Sequence, residues 1–247
     1  MKKKILVLCL VVALAVTAVV GGTLAYFTDT DNETNTFTTG KVDITLNETF
    51  TQESKLLPGK DIAKIVNVTN NEEDAYVRLH IAFPADTIYY GNDGVQEYNN
   101  LVHFNQKYAS LVAGEWNWTP TAAGATYDTA HPGYPGNGTN YNTYTTTIDN
   151  VEYRVFVVTY MTKLTEGATT KTDAMFNVYL DKYADTTDGE TYTAPVVGYR
   201  TAEMSSNLNN YKILIVAEGC QAEGFSDPYT ALNTSFGTPG SYSPWAA

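Results

Sequence analysis

Short stretches of alternating apolar and polar residues recur along the chain. Val42, Ile44 and Leu46 alternate with Asp43 and Thr45, and Val77, Leu79, Ile81 and Phe83 alternate with Arg78, His80 and Ala82. A period of two puts every second side chain on one face, so each run predicts a strand with one face on a core, and His80 falls on the polar face. Residues 62–68 predict another strand, opened by a turn at Leu56-Leu57-Pro58-Gly59. Residues 144–148 and 151–160 flank Asp149-Asn150. Both residues tolerate positive φ, which predicts a two-residue hairpin. Val155-Phe156-Val157-Val158 is apolar at every position, the pattern of a central strand covered on both faces. Residues 174–180 and 211–217 bring the predicted set to at least seven strands.

Helical signals are few. Asp227 is suited to an N-cap with Pro228 at the first helical position, and residues 229–236 form a short helix that Gly237 ends. Strands do not alternate with helices, which disfavours nucleotide-binding folds. The expected fold is all-β, a jelly-roll-like antiparallel β-sandwich with few short helices. Residues 85–147 differ in texture: they are rich in Gly, Tyr and Asn and contain the turn-forming run His131-Pro132-Gly133-Tyr134-Pro135-Gly136-Asn137-Gly138. They read as an insertion between core strands, and residues 184–195 read as a second polar loop.

The leading residues bear on the compartment. Lys2-Lys3-Lys4 precedes an uncharged apolar run from Ile5 to Val20 and then Gly21-Gly22-Thr23-Leu24-Ala25. This is the order of a secretory signal, so residues 1–25 are expected to be removed, with cleavage after Ala25 or Tyr26. The apolar run is short for a membrane span of about 20 residues, and no membrane association is expected after cleavage. Lys and Arg total 15 against 27 Asp and Glu. Removing residues 1–25 takes away three lysines and no acid, leaving 12 basic against 27 acidic residues, or −15 over 222 residues. Nucleic acid repels such a polyanion, so binding to it is not expected. The 36 Thr and 19 Tyr again favour pleated surfaces. Once Cys9 leaves with the leader, Cys220 stands alone in a strand-like context and reads as a small buried thiol.

Three stretches resemble the TasA/camelysin-type exported proteins of Gram-positive bacteria, which a SipW-type signal peptidase processes. The first is Gly21-Gly22-Thr23-Leu24-Ala25-Tyr26-Phe27-Thr28-Asp29 with Asn35-Thr36-Phe37-Thr38-Thr39-Gly40-Lys41-Val42. The second is Leu57-Pro58-Gly59-Lys60, then Val66-Asn67-Val68-Thr69-Asn70 and Ala75-Tyr76-Val77-Arg78. The third is Ile215-Val216-Ala217-Glu218 with Gln221-Ala222-Glu223-Gly224-Phe225. The resemblance implies a secreted or cell-surface protein that self-assembles into biofilm matrix fibres. It also implies that residues 26–40 act as a donor strand completing the next subunit's sheet, with Tyr26, Phe27, Thr36, Phe37 and Thr38 as the assembly residues. A β-sandwich domain over residues 41–247 would then receive it. An open sheet edge offers N–H and C=O groups that another chain can satisfy, and a head-to-tail contact that does not close makes a filament.

Some relatives carry a metalloprotease label, which the residues here do not support. Zinc proteolysis of that kind needs two His four apart with a Glu between them. His80, His103 and His131 are 23 and 28 positions apart, and none has a Glu in that register. No catalytic residues, metal ligands or cofactor are expected. The acids Asp29, Asp31 and Glu33, and Asp185, Asp188 and Glu190, lack the glycine and terminal acid of a calcium loop and read as solvated charge. Trp116 and Trp118 flank Asn117, so on an extended segment both indoles point to one side. They read as packing aromatics, the alternative being a glycan-binding platform of a secreted carbohydrate-binding or adhesion module.

Overall fold

The structure, a computed structural model, describes residues 41–51, 54–89, 99–105, 115–118, 142–198 and 200–245. Twelve strands appear among them, β1 (Ile44–Phe50), β2 (Ile62–Asn70), β3 (Ala75–Pro84), β4 (Val102–Phe104), β5 (Trp116–Asn117), β6 (Thr143–Ile148), β7 (Val151–Tyr160), β8 (Met175–Leu180), β9 (Asp185–Thr186), β10 (Thr191–Ala194), β11 (Met204–Asn207) and β12 (Leu214–Gln221). One α-helix, α1 (Pro228–Phe236), follows them. A four-stranded sheet runs β1-β2-β8-β4. A five-stranded sheet runs β12-β3-β7-β5, with β6 sharing the β7 edge that β5 uses. Every strand pair is antiparallel.

The chain crosses between sheets at β2–β3, β3–β4, β4–β5 and β7–β8, so each sheet buries one face against the other. The fold is the all-β sandwich expected. Its core holds Val66 and Val68 of β2, Leu79 and Ile81 of β3, and Phe156 and Val158 of β7. Phe83 stacks on Phe104 across the two sheets at 4.6 Å between ring centroids.

Local chemistry accounts for the expected elements. Asp149 and Asn150 have φ of 50° and 63°, and the β6–β7 hairpin turns on them. The Asp227 carboxylate accepts the Thr230 N–H at 2.9 Å and caps α1. Gly237, at φ 97°, ends the helix in a conformation that a side chain disfavours. β7 is buried over its last six residues, as its unbroken apolar run predicts.

Other expectations change. The first strand begins at Ile44 and runs to Phe50, so Val42 precedes it. Residues 184–195 are not simply a loop: they contain β9 and β10, which form a three-stranded sheet with β11. The stretch 85–147 is likewise more than an insertion, since its described parts supply β4 to one sheet and β5 and most of β6 to the other. Strands of two or three residues are too short to show periodicity, and partner strands far along the chain create them. His80 is fully buried, not on a solvent face. All ten residues of β3 are buried, because α1 and the chain after it cover the outer face of the five-stranded sheet. Among the described residues, no helix is long and apolar enough to cross a membrane.

One glycine sets how closely the sheets approach. A Cβ at Gly219 would lie 2.8 Å from Ile44 Cγ2 and 3.0 Å from its Cδ1. Gly219→Val should therefore lower the unfolding free energy by about 1–3 kcal/mol in urea titrations. Trimming the opposing side chain, Ile44→Ala, should make the same substitution cost much less.

Candidate functional site

β1 and β12 are the edge strands of the two sheets on the same side of the sandwich. Each has a ladder partner on one side, β2 and β3 respectively. Among the described residues, no strand pairs with the other side of either. The inner face of β12 grows in bulk along the seam, from Gly219 and Ala217 to Ile215 and Ile213. Opposite it, the inner face of β1 carries Ile44, Leu46, Glu48 and Phe50. The seam is therefore pinched at Ile44–Gly219 and opens toward Phe50 and Ile213. There it forms a groove of about 960 Å³, lined in part by Leu56, Leu57, Ile62, Val178, Leu208 and Ile213.

The floor of this groove contains an unusual side chain. On β2, Ile62, Lys64, Val66 and Val68 share the inner face, so a lysine occupies a core-facing position. Lys64 is 3% exposed; its Nζ donates to Glu48 Oε1 at 2.6 Å and lies 4.7 Å from the centre of the Phe50 ring. Lys64 pairs directly with Phe50 across the ladder, and Glu48 is the diagonal neighbour. A buried ammonium carries a heavy desolvation penalty unless it is paired. Glu48 and the Phe50 ring supply the compensation.

A second polar assembly lies on the outer face of the five-stranded sheet. Arg78 Nε donates to Glu218 Oε2 at 2.6 Å, Nη1 to Asn233 Oδ1 at 2.8 Å, and Nη2 to the Gly237 carbonyl and the Tyr242 hydroxyl. The Tyr242 hydroxyl donates to Glu218 at 2.7 Å. His80 places Nε2 3.1 Å from Glu218 Oε2 and Nδ1 3.0 Å from the Tyr144 hydroxyl. One proton on Nε2 satisfies both contacts, with Nδ1 accepting from Tyr144. Burial works to raise the Glu218 carboxyl, but hydrogen bonds from His80, Tyr242 and Arg78 outweigh it and hold the group down at about 2. The network ties β3 and β12 to α1 and the chain beyond it, and it closes on itself as a structural clasp.

His103 belongs to a separate cluster. Its ring stacks on Tyr179, and its Nε2 meets Asp181 Oδ2 at 2.8 Å, where Arg200 also donates. Burial pulls the His103 imidazole below its ordinary value against the pull of Asp181. His80 and His103 sit on outer faces of opposite sheets, with the core between them, so they cannot share an ion. Among the described residues, no group of three or more His, Cys, Asp or Glu side chains is placed to hold a metal. His131 lies outside the described residues.

The other candidates fall as follows. Trp116 and Trp118 are 2% and 1% exposed and lie inside the main core. The Trp116 indole N–H donates to the Thr172 carbonyl at 2.9 Å, and Trp118 rests 5.6 Å from Phe104 between ring centroids. Neither indole offers a face to a sugar ring. Asp188 accepts from Thr186 Oγ1 and from the Glu190 and Thr191 amides. Those backbone hydrogen bonds hold its carboxyl at about 2, so the acid closes its own turn. Cys220 is buried under α1, and burial raises its thiol pKa. Tyr26, Phe27, Thr36, Phe37 and Thr38 lie outside the described residues, as do Asp29, Asp31 and Glu33. Sequence patterning missed Lys64 and the Gly219–Ile44 pinch. The one available signal was a lysine in register with Ile62, Val66 and Val68.

Fold and site together define a β-sandwich with an open seam between β1 and β12 and, among the described residues, no group of side chains placed to hold a metal. Residues 1–81 match the family model described as camelysin metallo-endopeptidase. That match supports the resemblance to the TasA/camelysin type over the first third of the chain, from residue 1 through most of β3. No curated protein matches the chain.

Two outcomes are expected. Trp118→Ala should cost about 3–5 kcal/mol in thermal or chemical unfolding, the penalty for emptying a core site. Glu218→Gln should cost about 3 kcal/mol by stranding Arg78. It should also alter the acid response. The Glu218 carboxyl protonates near 4.5 when unfolded and near 2 when folded, so between those values the unfolded chain binds the extra proton. Stability from this group is present above pH 4.5 and is lost as pH falls toward 2. Urea midpoints measured across that window should decline less steeply in Glu218→Gln than in the wild type.

Proposed function

We propose that the protein is a secreted, non-enzymatic structural subunit that assembles into extracellular biofilm matrix fibres by strand addition. On this reading a SipW-type peptidase removes residues 1–25. Residues 26–40 of one subunit then enter the open seam of the next. The observation that carries the reading is the polarity of that seam. Lys41 lies three residues before Ile44, so residues 26–40 join the sandwich at its pinched end, whereas the groove opens at the Phe50–Ile213 end. Ile44 and Phe50 are six residue steps apart, about 20 Å along a strand. An arm leaving one end and an acceptor opening at the other favour a head-to-tail contact that propagates without closing.

The seam's chemistry supports the same reading. The free edges of β1 and β12 offer backbone donors and acceptors, and an added strand can bond to such an edge. Fifteen extended residues reach at most about 50 Å, enough to run the length of a neighbour's seam. The family description names an endopeptidase, but the described histidines stand apart on opposite sheets, each tied to a carboxylate.

Deleting residues 26–40 from the processed chain should leave a soluble monomer by size-exclusion chromatography and no filaments by electron microscopy. Filaments of normal length from that deletion would refute strand addition.

A further inference from the structure

The groove contains more positive charge than the rest of the chain would lead one to expect. Lys55, Lys64 and Lys212 line it against Glu48 and Glu190, in a protein with 27 acidic and 15 basic residues. Lys64 is bonded to Glu48 at the floor. Lys55 and Lys212 are exposed and make no ion pair among the described residues.

The arm has the opposite character. Residues 26–40 include Asp29, Asp31 and Glu33 and no lysine or arginine. The spacing matters as much as the count. Phe27, Asp29, Asp31, Glu33 and Phe37 all occupy odd positions, so a single extended strand presents them on one face. If the phenylalanines point into a groove, the three carboxylates point into it with them. A purely apolar groove would reject that face, because unpaired buried carboxylates are strongly disfavoured. A groove with a lysine on its inner wall and two more at its rim does not.

We propose that the groove is charge-selective: Lys55, Lys64 and Lys212 read the acidic face of residues 26–40 of a second copy. This rests on the strand-addition reading above and adds a recognition rule to it. The two phenylalanines provide apolar contact at either end of the acidic run, and the carboxylates set register between them. Because Lys55 and Lys212 are exposed, their share of the recognition is screened by salt. The rule also discriminates against self-pairing of other strands, because a basic or neutral segment leaves Lys64 with only Glu48.

The test uses the processed full-length chain and a synthetic peptide of residues 26–40, with fibre growth followed by light scattering. The wild-type peptide should cap growing ends and slow growth. A peptide with Asp29→Asn, Asp31→Asn and Glu33→Gln should need about tenfold more to do the same, the combined effect of a few exposed or half-buried ion pairs. In the double variant Lys55→Gln/Lys212→Gln, whose side chains are exposed, the two peptides should differ much less. Lys55→Glu/Lys212→Glu should prefer a peptide with Asp29→Lys and Asp31→Lys. Equal inhibition of the wild-type protein by acidic and neutral peptides would overturn charge selection while leaving strand addition intact. No inhibition by either peptide would overturn both.

Discussion

The closeness of β1 to β12 at Gly219 governs the rest of the structure. Along the side where β1 faces β12, the two sheets meet closely at one end and part at the other. Gly219 lets Ile44 approach, while Ala217, Ile215 and Ile213 progressively hold the strands apart. The outcome is a wedge with a tight end and a gaping end. Backbone groups along the outer edges of β1 and β12 have no strand partner among the described residues. Interior packing is dense and does not stretch, so a taper in side-chain size becomes a taper in shape. The groove therefore combines the open end of the seam with the connecting segments around Lys55 and Asn209 that complete its walls.

The opposite design rules the outer face of the five-stranded sheet. Arg78, His80 and Glu218 would be a solvent face in a bare sheet, but α1 and the chain up to Tyr242 bury them. Burying a guanidinium and a carboxylate together seldom stabilises more than apolar packing would. What it does is demand one arrangement. Arg78 reaches β12, α1, the helix end and Tyr242 at once, and any displacement of the helix would strand a charge. A clasp of this kind fixes α1 over that face, and β12 carries both the clasp's Glu218 and one edge of the seam.

The protease name attached to the family sits uneasily with these two features. Catalysis by a bound metal needs convergent ligands and an open coordination position. His80 is bonded at both ring nitrogens, to Glu218 and Tyr144, whereas His103 meets Asp181 through Nε2 and stacks on Tyr179, and the two lie on opposite sheets. The outer edges of β1 and β12 have no strand partner among the described residues. On the proposed reading, an incoming strand would bond to them.

Much of the fold was legible because its signals are local. Positive φ at Asp149 and Asn150, the Asp227–Pro228 helix start, the Gly237 stop and the apolar run of β7 depend on residues adjacent in sequence. Alternation located β2 and β3 for the same reason, since a strand's faces follow from its own spacing, while the run 211–217 overlaps only the first half of β12. The sequence by itself therefore determined the β character, the hairpin, the capped helix and the resemblance carried at its leading end. Only tertiary structure decided that His80 is buried, that β4, β5, β9 and β10 exist, and that Lys64 floors a groove. Each of those depends on what lies opposite, often a hundred or more residues away, as with Arg78 and Glu218. Periodicity tells a side chain which face it is on, but not what will cover that face.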